Sequence, residues 1–200
     1  MLRAMRTLTV CPLLALAFGA TSARAAAVTY TASFTADGSL GGEAFQNALV
    51  TLVVEGDTED VFEFTLDRYF LDVDSAYVVV AGVGAATFTN TFTVGSNADD
   101  GIVVFGDLDL DTAVLWLFDS GFVSYDLQSS LVVVADAYQD PNGHTFPTSV
   151  GDLVLNSISS TGTFVADVQS AAVPEPSTFA MLAVPAVLGV AARRRKAAQA

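Results

Sequence analysis

The sequence predicts an all-β protein, with a central antiparallel β-sandwich or jelly-roll-like domain and one apolar helix at each end. Three observations support this fold class. Apolar runs of strand length recur between residues 28 and 135, short clusters of Gly, Asp and Asn separate them, and no amphipathic helical stripe lies between the two ends. We therefore divide the chain into residues 1–25, 26–172 and 173–200.

The apolar runs differ in how they alternate, and this difference predicts which strands have a solvated face. Residues 28–34 alternate cleanly between apolar and polar side chains, as in a half-buried strand. Residues 88–94 repeat this pattern, and residues 61–70 follow it less regularly. Four other runs are continuously apolar, which favours strands covered on both faces: residues 49–54, 77–81, 114–118 and 131–135.

Charge is distributed very unevenly along the chain. Between residues 26 and 172 the sequence has 21 Asp and Glu residues and a single base, Arg68, for a net charge of −20. This excludes a nucleic-acid binder that works by neutralising phosphates. The same segment is rich in Val, Leu, Phe and Ala, which excludes intrinsic disorder. The only cysteine, Cys11, lies in the first apolar run, and Val10 before it argues against lipidation.

The first 25 residues have the pattern of a secretory signal peptide, which would form a short helix before its removal. Arg3 and Arg6 precede an uncharged apolar run over residues 7–20. The small residues Ala23 and Ala25 then stand at alternate positions before Ala26. We predict cleavage after Ala25, with Ala27 as the alternative, and hence the Sec translocon and signal peptidase as partners.

The last 28 residues have three parts in a fixed order. A proline-rich hexapeptide comes first: Val173, Pro174, Glu175, Pro176, Ser177 and Thr178. Residues 176–192 carry no charge and would span about 26 Å as a helix, enough for one short transmembrane helix. The basic residues that follow would hold their end in the cytoplasm and leave residues 26–172 outside the inner membrane: Arg193, Arg194, Arg195 and Lys196.

This tail resembles the PEP-CTERM sorting signal of Gram-negative bacteria, with Pro174, Glu175 and Pro176 as the motif. The resemblance implies an exosortase as the processing partner, and the cell surface or the extracellular polysaccharide matrix as the final location. Two prolines keep the motif extended and outside the helix, where an enzyme beside the membrane can reach it. The alternative is an ordinary single-pass anchor after a proline-rich linker. Residues 38–57 and 156–164 look like segments of uncharacterised PEP-CTERM surface proteins.

Candidate catalytic and metal-binding residues are few. The mature chain has one histidine, His144, no cysteine and no G-x-S-x-G motif, which argues against a serine-type triad and against a zinc site. We therefore predict that the protein is not an enzyme and has no cofactor. On a strand, Asp107, Asp109 and Asp111 would share one face, which suggests calcium as an alternative to a plain solvated acidic surface; we favour the solvated surface.

Two function classes remain open on the sequence alone. The first is a non-enzymatic cell-surface or extracellular-matrix protein. The alternative is a surface-anchored carbohydrate-binding or carbohydrate-cleaving β-sandwich, calcium-stabilised, with exopolysaccharide as its partner. Carbohydrate binding needs exposed aromatic rings. We predict that Trp116 lies in the core, because its neighbours are apolar, and that Tyr125 and Tyr138 are exposed.

Overall fold

Antiparallel strands make up most of the computed structural model, which describes residues 26–73, 75–107, 112–140 and 145–169. The strands are β1 (Ala27–Leu40), β2 (Glu43–Asp57), β3 (Val61–Thr65), β4 (Arg68–Asp72), β5 (Ser75–Val80), β6 (Gly84–Thr87), β7 (Thr93–Asn97), β8 (Ile102–Asp107), β9 (Thr112–Phe118), β10 (Leu131–Tyr138), β11 (Thr145–Thr148) and β12 (Gly151–Val168). Two 3₁₀ turns, Thr58–Asp60 and Ser120–Phe122, are the only helical elements in these ranges. The all-β prediction is therefore confirmed.

The strands form one continuous hydrogen-bonded sheet. Their order is β3-β4-β7-β8-β9-β10-β12-β1-β2-β5-β6, and β11 adds to β12 beside this path. Every pairing between named strands is antiparallel. The sheet curls on itself, which allows one sheet to enclose its own core.

The long strand β1 builds the core through strict alternation, and β12 alternates in the same way over residues 162–166. In β1 every second side chain from Val28 to Leu40 is buried, as the sequence predicts for residues 28–34. The ring of Phe164 on β12 is fully buried and contacts rings from β1, β8 and the segment after β9. Because β8 and β12 are not neighbours in the sheet, Phe164 marks where the curled sheet meets itself.

Three sequence predictions about strands need correction. Residues 88–94 are not one strand, because only a single bridge at Phe88 and the start of β7 belong to the sheet. Phe88 and Phe92 are buried and stack at 4.3 Å, so packing between two loop rings produces the apparent alternation. Residues 61–70 form two strands around a turn at Asp67, whose φ is 60°. The runs 77–81 and 131–135 have a solvated face, where Val79, Val132 and Val134 are exposed.

Several predictions concern residues outside the described ranges. These are residues 1–25 of the signal peptide, including Ala23 and Ala25, as well as Asp109, Asp111, His144 and the whole segment 173–200. Ala26, the first described residue, donates its backbone N–H to the hydroxyl of Thr58 at 3.2 Å. Within the described part of the chain, no helix is long and apolar enough to cross a bilayer.

Candidate functional site

A row of directly paired residues crosses the solvent-facing side of six neighbouring strands, from β3 to β10. Each member is the cross-strand partner of the next, so all of them lie on one face of the sheet. We call this the outer row, and it consists of Phe62, Phe70, Gly95, Val104, Trp116 and Tyr138. On β4, β8 and β9 the residues next to it along the strand point into the core, among them Leu71, Phe105 and Leu117.

Aromatic rings cluster at both ends of the outer row. At the β3 end, Phe70 contacts Phe62 at 6.1 Å and Phe64 at 5.9 Å between ring centroids. At the β10 end, Phe118 lies between two members of the row. Its ring is nearly parallel to that of Trp116, at 6.5 Å, and meets the ring of Tyr138 edge to face at 5.1 Å. These distances are those of favourable aromatic pairs.

Gly95 is the position that lets the two aromatic clusters share one surface. The ring of Phe70 lies directly over Gly95, and a Cβ built there would come within 2.5 Å of Cε1 of Phe70. Any larger residue would displace the ring of Phe70. The absence of a side chain at Gly95 therefore allows the ring to pack against the strand.

A second row of paired residues runs beside the outer row and carries polar groups. We call it the flanking row, and it consists of Arg68, Asn97, Ile102, Phe118 and Asp136. The amide of Asn97 donates to the carboxylate of Asp100 at 2.7 Å, at the turn that follows β7. Arg68 is the single base between residues 26 and 172, and its side chain is exposed beside this pair.

Two open grooves follow these rows and share Trp116. One, of about 400 Å³, is lined by residues of both rows, including Arg68, Phe70 and Asn97. The other, of about 680 Å³, is lined by Trp116, Phe118, Tyr138 and Gln139. The amide of Gln139 donates to the carbonyl of Leu155 at 2.6 Å, which fixes the end of this groove. Together the grooves form a long surface with aromatic walls and polar groups along one side.

The structure changes the assignment of two of the three aromatic residues considered from the sequence. Trp116 is half-buried on the outer face of β9, so its placement in the core is wrong. Tyr125 is buried, and the prediction that it is exposed is wrong as well. Its hydroxyl donates to the carbonyl of Ser129 at 3.2 Å, and burial raises its pKa. Tyr138 is 56% exposed, as predicted.

The outer row could not be identified from the sequence, because both faces of β9 are apolar. Trp116 and Phe118 point outward there, while Leu115 and Leu117 point into the core together with the fully buried Val114, which lies at a bulge opposite β8. A pattern of period two carries no information when both sets of positions are apolar. The one available signal was the size difference between the two sets, since the bulkiest rings occupy alternate positions.

The aspartates considered for calcium are only partly described. Asp107 ends β8 and is buried, with 2% of its surface exposed, so the prediction of a solvated acidic face is wrong at this residue. Its carboxylate accepts a hydrogen bond of 2.7 Å from the amide of Asn90. Asp109 and Asp111 lie outside the described residues. Among the residues that are described, no three His, Cys, Asp or Glu side chains are grouped as a metal site would require.

The comparisons with known proteins find a match for the C-terminal segment of the chain. Residues 172–196 match the family model of the PEP-CTERM protein-sorting motif. Neither a curated protein nor a solved structure matches the chain. The matched range includes the motif Pro174, Glu175 and Pro176, as the sequence predicts. It also includes the four basic residues that we call the basic cluster: Arg193, Arg194, Arg195 and Lys196. The chain thus carries a PEP-CTERM protein-sorting motif, consistent with a substrate of an exosortase.

Proposed function

We propose that the protein is a non-enzymatic cell-surface or extracellular-matrix protein that an exosortase processes after export. The observation that carries this proposal is the PEP-CTERM match over residues 172–196, which implies processing by an exosortase and display at the surface. The ectodomain, residues 26–172, is then the part that remains at the surface, and the tail serves for delivery.

The route follows from the two ends of the sequence. Residues 1–25 direct the chain to the Sec translocon, and signal peptidase removes them. Residues 176–192 then hold the chain in the inner membrane, with the basic cluster in the cytoplasm and the ectodomain outside. The proline-flanked Glu175 lies at the outer side of this helix, where a membrane enzyme can bind it.

Two properties of the ectodomain belong to the same proposal. Its chemistry is non-enzymatic and needs no cofactor, which is supported by a mature sequence with one histidine and no cysteine. Its architecture is that of a sandwich or jelly roll made from one sheet, which is supported by the contact of Phe164 on β12 with Phe105 on β8 at 6.2 Å.

The sorting proposal is tested by removing the one charge of the motif. Glu175→Gln leaves the apolar helix and the basic cluster intact, so insertion should survive while recognition by the exosortase is lost. We expect the variant to accumulate uncut in the inner membrane with its ectodomain outside, while the unchanged chain is cut and reaches the surface. Immunoblots of membrane and surface fractions, from cells with and without an exosortase, measure this.

The matched control is Asp167→Asn, which removes an exposed carboxylate of β12 a few residues before the motif. This variant should be processed normally. Replacement of the basic cluster by neutral residues should instead disturb the orientation of the chain in the membrane. Protease added outside the inner membrane should then digest the ectodomain in only part of the molecules. Normal processing of Glu175→Gln in cells that carry an exosortase would show that the tail is an ordinary membrane anchor.

A further inference from the structure

The outer row is an apolar surface on a domain that carries a net charge of −20 between residues 26 and 172. Phe62, Phe64 and Tyr138 are 43%, 68% and 56% exposed, and they belong to one continuous side of the sheet. A surface of this kind on a secreted acidic domain is typical of a binding site. Trp, Tyr and Arg are also the residues that contribute most to binding energy at interfaces, and all three occur in the two rows.

We propose that the outer row and the flanking row bind an extended, uncharged polysaccharide. The first argument is shape. The row crosses six strands in register, so its length is about 24 Å at a spacing of about 4.8 Å between strands. It is open along its side rather than closed into a pocket. A surface of this form fits a polymer that lies across the strands better than a small molecule held at one point.

The second argument is the chemistry of the aromatic rings. The C–H groups on the face of a pyranose ring are weakly positive, and the faces of Trp and Tyr rings are weakly negative. Trp116 and Tyr138 are direct cross-strand partners, and the groove they line with Phe118 is mostly apolar. The indole N–H and the phenolic O–H can in addition pair with sugar hydroxyls at the rim.

The third argument is the mixture of polar groups that line the groove beside the flanking row. Sugar hydroxyls both donate and accept hydrogen bonds, and recognition therefore needs both kinds of partner. Arg68 supplies only donors, Asp100 supplies only acceptors, and Asn97 supplies both. All three line the same groove with Trp116. Arg68, the only base of the ectodomain, thus lies beside the acceptors Asn97 and Asp100, where it can donate hydrogen bonds to sugar hydroxyls.

The fourth argument is the charge of the domain, which selects the kind of polymer. A net charge of −20 between residues 26 and 172 repels anionic polysaccharides and the anionic surface of a membrane. It also repels a second copy of the same chain, which carries the same charge. An uncharged polysaccharide experiences none of these repulsions, and its affinity should depend little on salt.

The experiment measures retardation of the full chain, in a non-glycosidic detergent, during native electrophoresis through gels that contain a polysaccharide. The probes are hydroxyethylcellulose and galactomannan as neutral polymers and alginate as an anionic one. We expect retardation by at least one neutral polymer, with a Kd that changes less than about twofold between low and high salt, and none by alginate.

Variants then assign the binding to the outer row. Tyr138→Ala and Trp116→Ala should each weaken retardation about tenfold, and Tyr138→Phe, which keeps the ring, should retain most of it. The matched control is Tyr77→Ala, because Tyr77 is a half-buried tyrosine on the outer face of β5, in another part of the sheet. It should leave retardation unchanged. Thermal unfolding of each variant confirms folding, and the exposed Tyr138 keeps the test usable if Trp116→Ala unfolds.

Four outcomes would overturn the proposal. The first two are no retardation by either neutral polymer and stronger retardation by alginate. The third is an equal loss of retardation in Tyr77→Ala and Tyr138→Ala. The fourth is a stable dimer in sedimentation that Tyr138→Ala dissociates. The last would identify the outer row as a contact between two copies of the chain. None of them depends on processing by an exosortase, so this test and the test of sorting can fail independently.

Discussion

Replacing Phe164 tests whether the curled sheet is held together by one aromatic cluster. The ring is fully buried and contacts four others, at 6.1 Å from Tyr30, 6.2 Å from Phe105, 5.3 Å from Phe122 and 5.8 Å from Tyr125. Phe164→Ala removes these contacts together and leaves a cavity that the surrounding strands fill only in part. Buried Phe→Ala changes cost about 3–5 kcal/mol, and we expect a value near the middle of this range.

The assay is urea unfolding of the full chain in detergent, followed by the fluorescence of Trp116, the only tryptophan. Phe64→Ala is the matched control, because Phe64 is 68% exposed and touches one ring, Phe70. It should lower the free energy of unfolding by about 1 kcal/mol or less. A loss below about 2 kcal/mol for Phe164→Ala, or equal losses for both variants, would refute the idea that the sheet closes around this ring.

Two further predictions concern pH and ions. Burial raises the pKa of Tyr30 and Tyr125 above the usual 10.0, so their contribution to stability is complete below about pH 10 and is lost as pH rises further. Urea midpoints should therefore fall above about pH 10, and fall less for Tyr125→Phe; a midpoint that stays constant would contradict this. For the acidic domain, calcium and NaCl at equal ionic strength should raise Tm equally by screening. A clearly larger rise with calcium would instead indicate an ion bound at Asp107, Asp109 and Asp111.

The sequence predicts the strands of this fold better than the sheet that they form. The alternation in residues 28–34 identifies the buried face of β1 correctly, because one face of that strand is polar. The register between strands is a tertiary property, set by pairs such as Trp116 with Tyr138, which are 22 positions apart in the chain. No local pattern contains this information.

The residues of the candidate site can be identified only when the pairing of residues across strands is known. The apolar neighbours of Trp116 in the chain predict a place in the core, yet its neighbours across the strands are Val104 and Tyr138 on the solvent side. The charge of Asp107 predicts a solvated face, yet the residue is buried and its carboxylate accepts a hydrogen bond from Asn90. The sorting motif, by contrast, is a linear signal, and its residues are recognisable without any structure.

The two halves of the sheet show that the aromatic outer row is not a requirement of folding. On β1 the side chains that face solvent from Thr29 to Ser39 are all polar, while their neighbours in the chain fill the core. On β9 the corresponding outward positions include Trp116 and Phe118. Both strands belong to the same sheet and bury the same kind of inner face. The fold is therefore stable without aromatic side chains on the outer face of a strand. Since exposed rings also promote aggregation, their concentration on one side of an acidic, exported domain is best explained by a ligand that binds there.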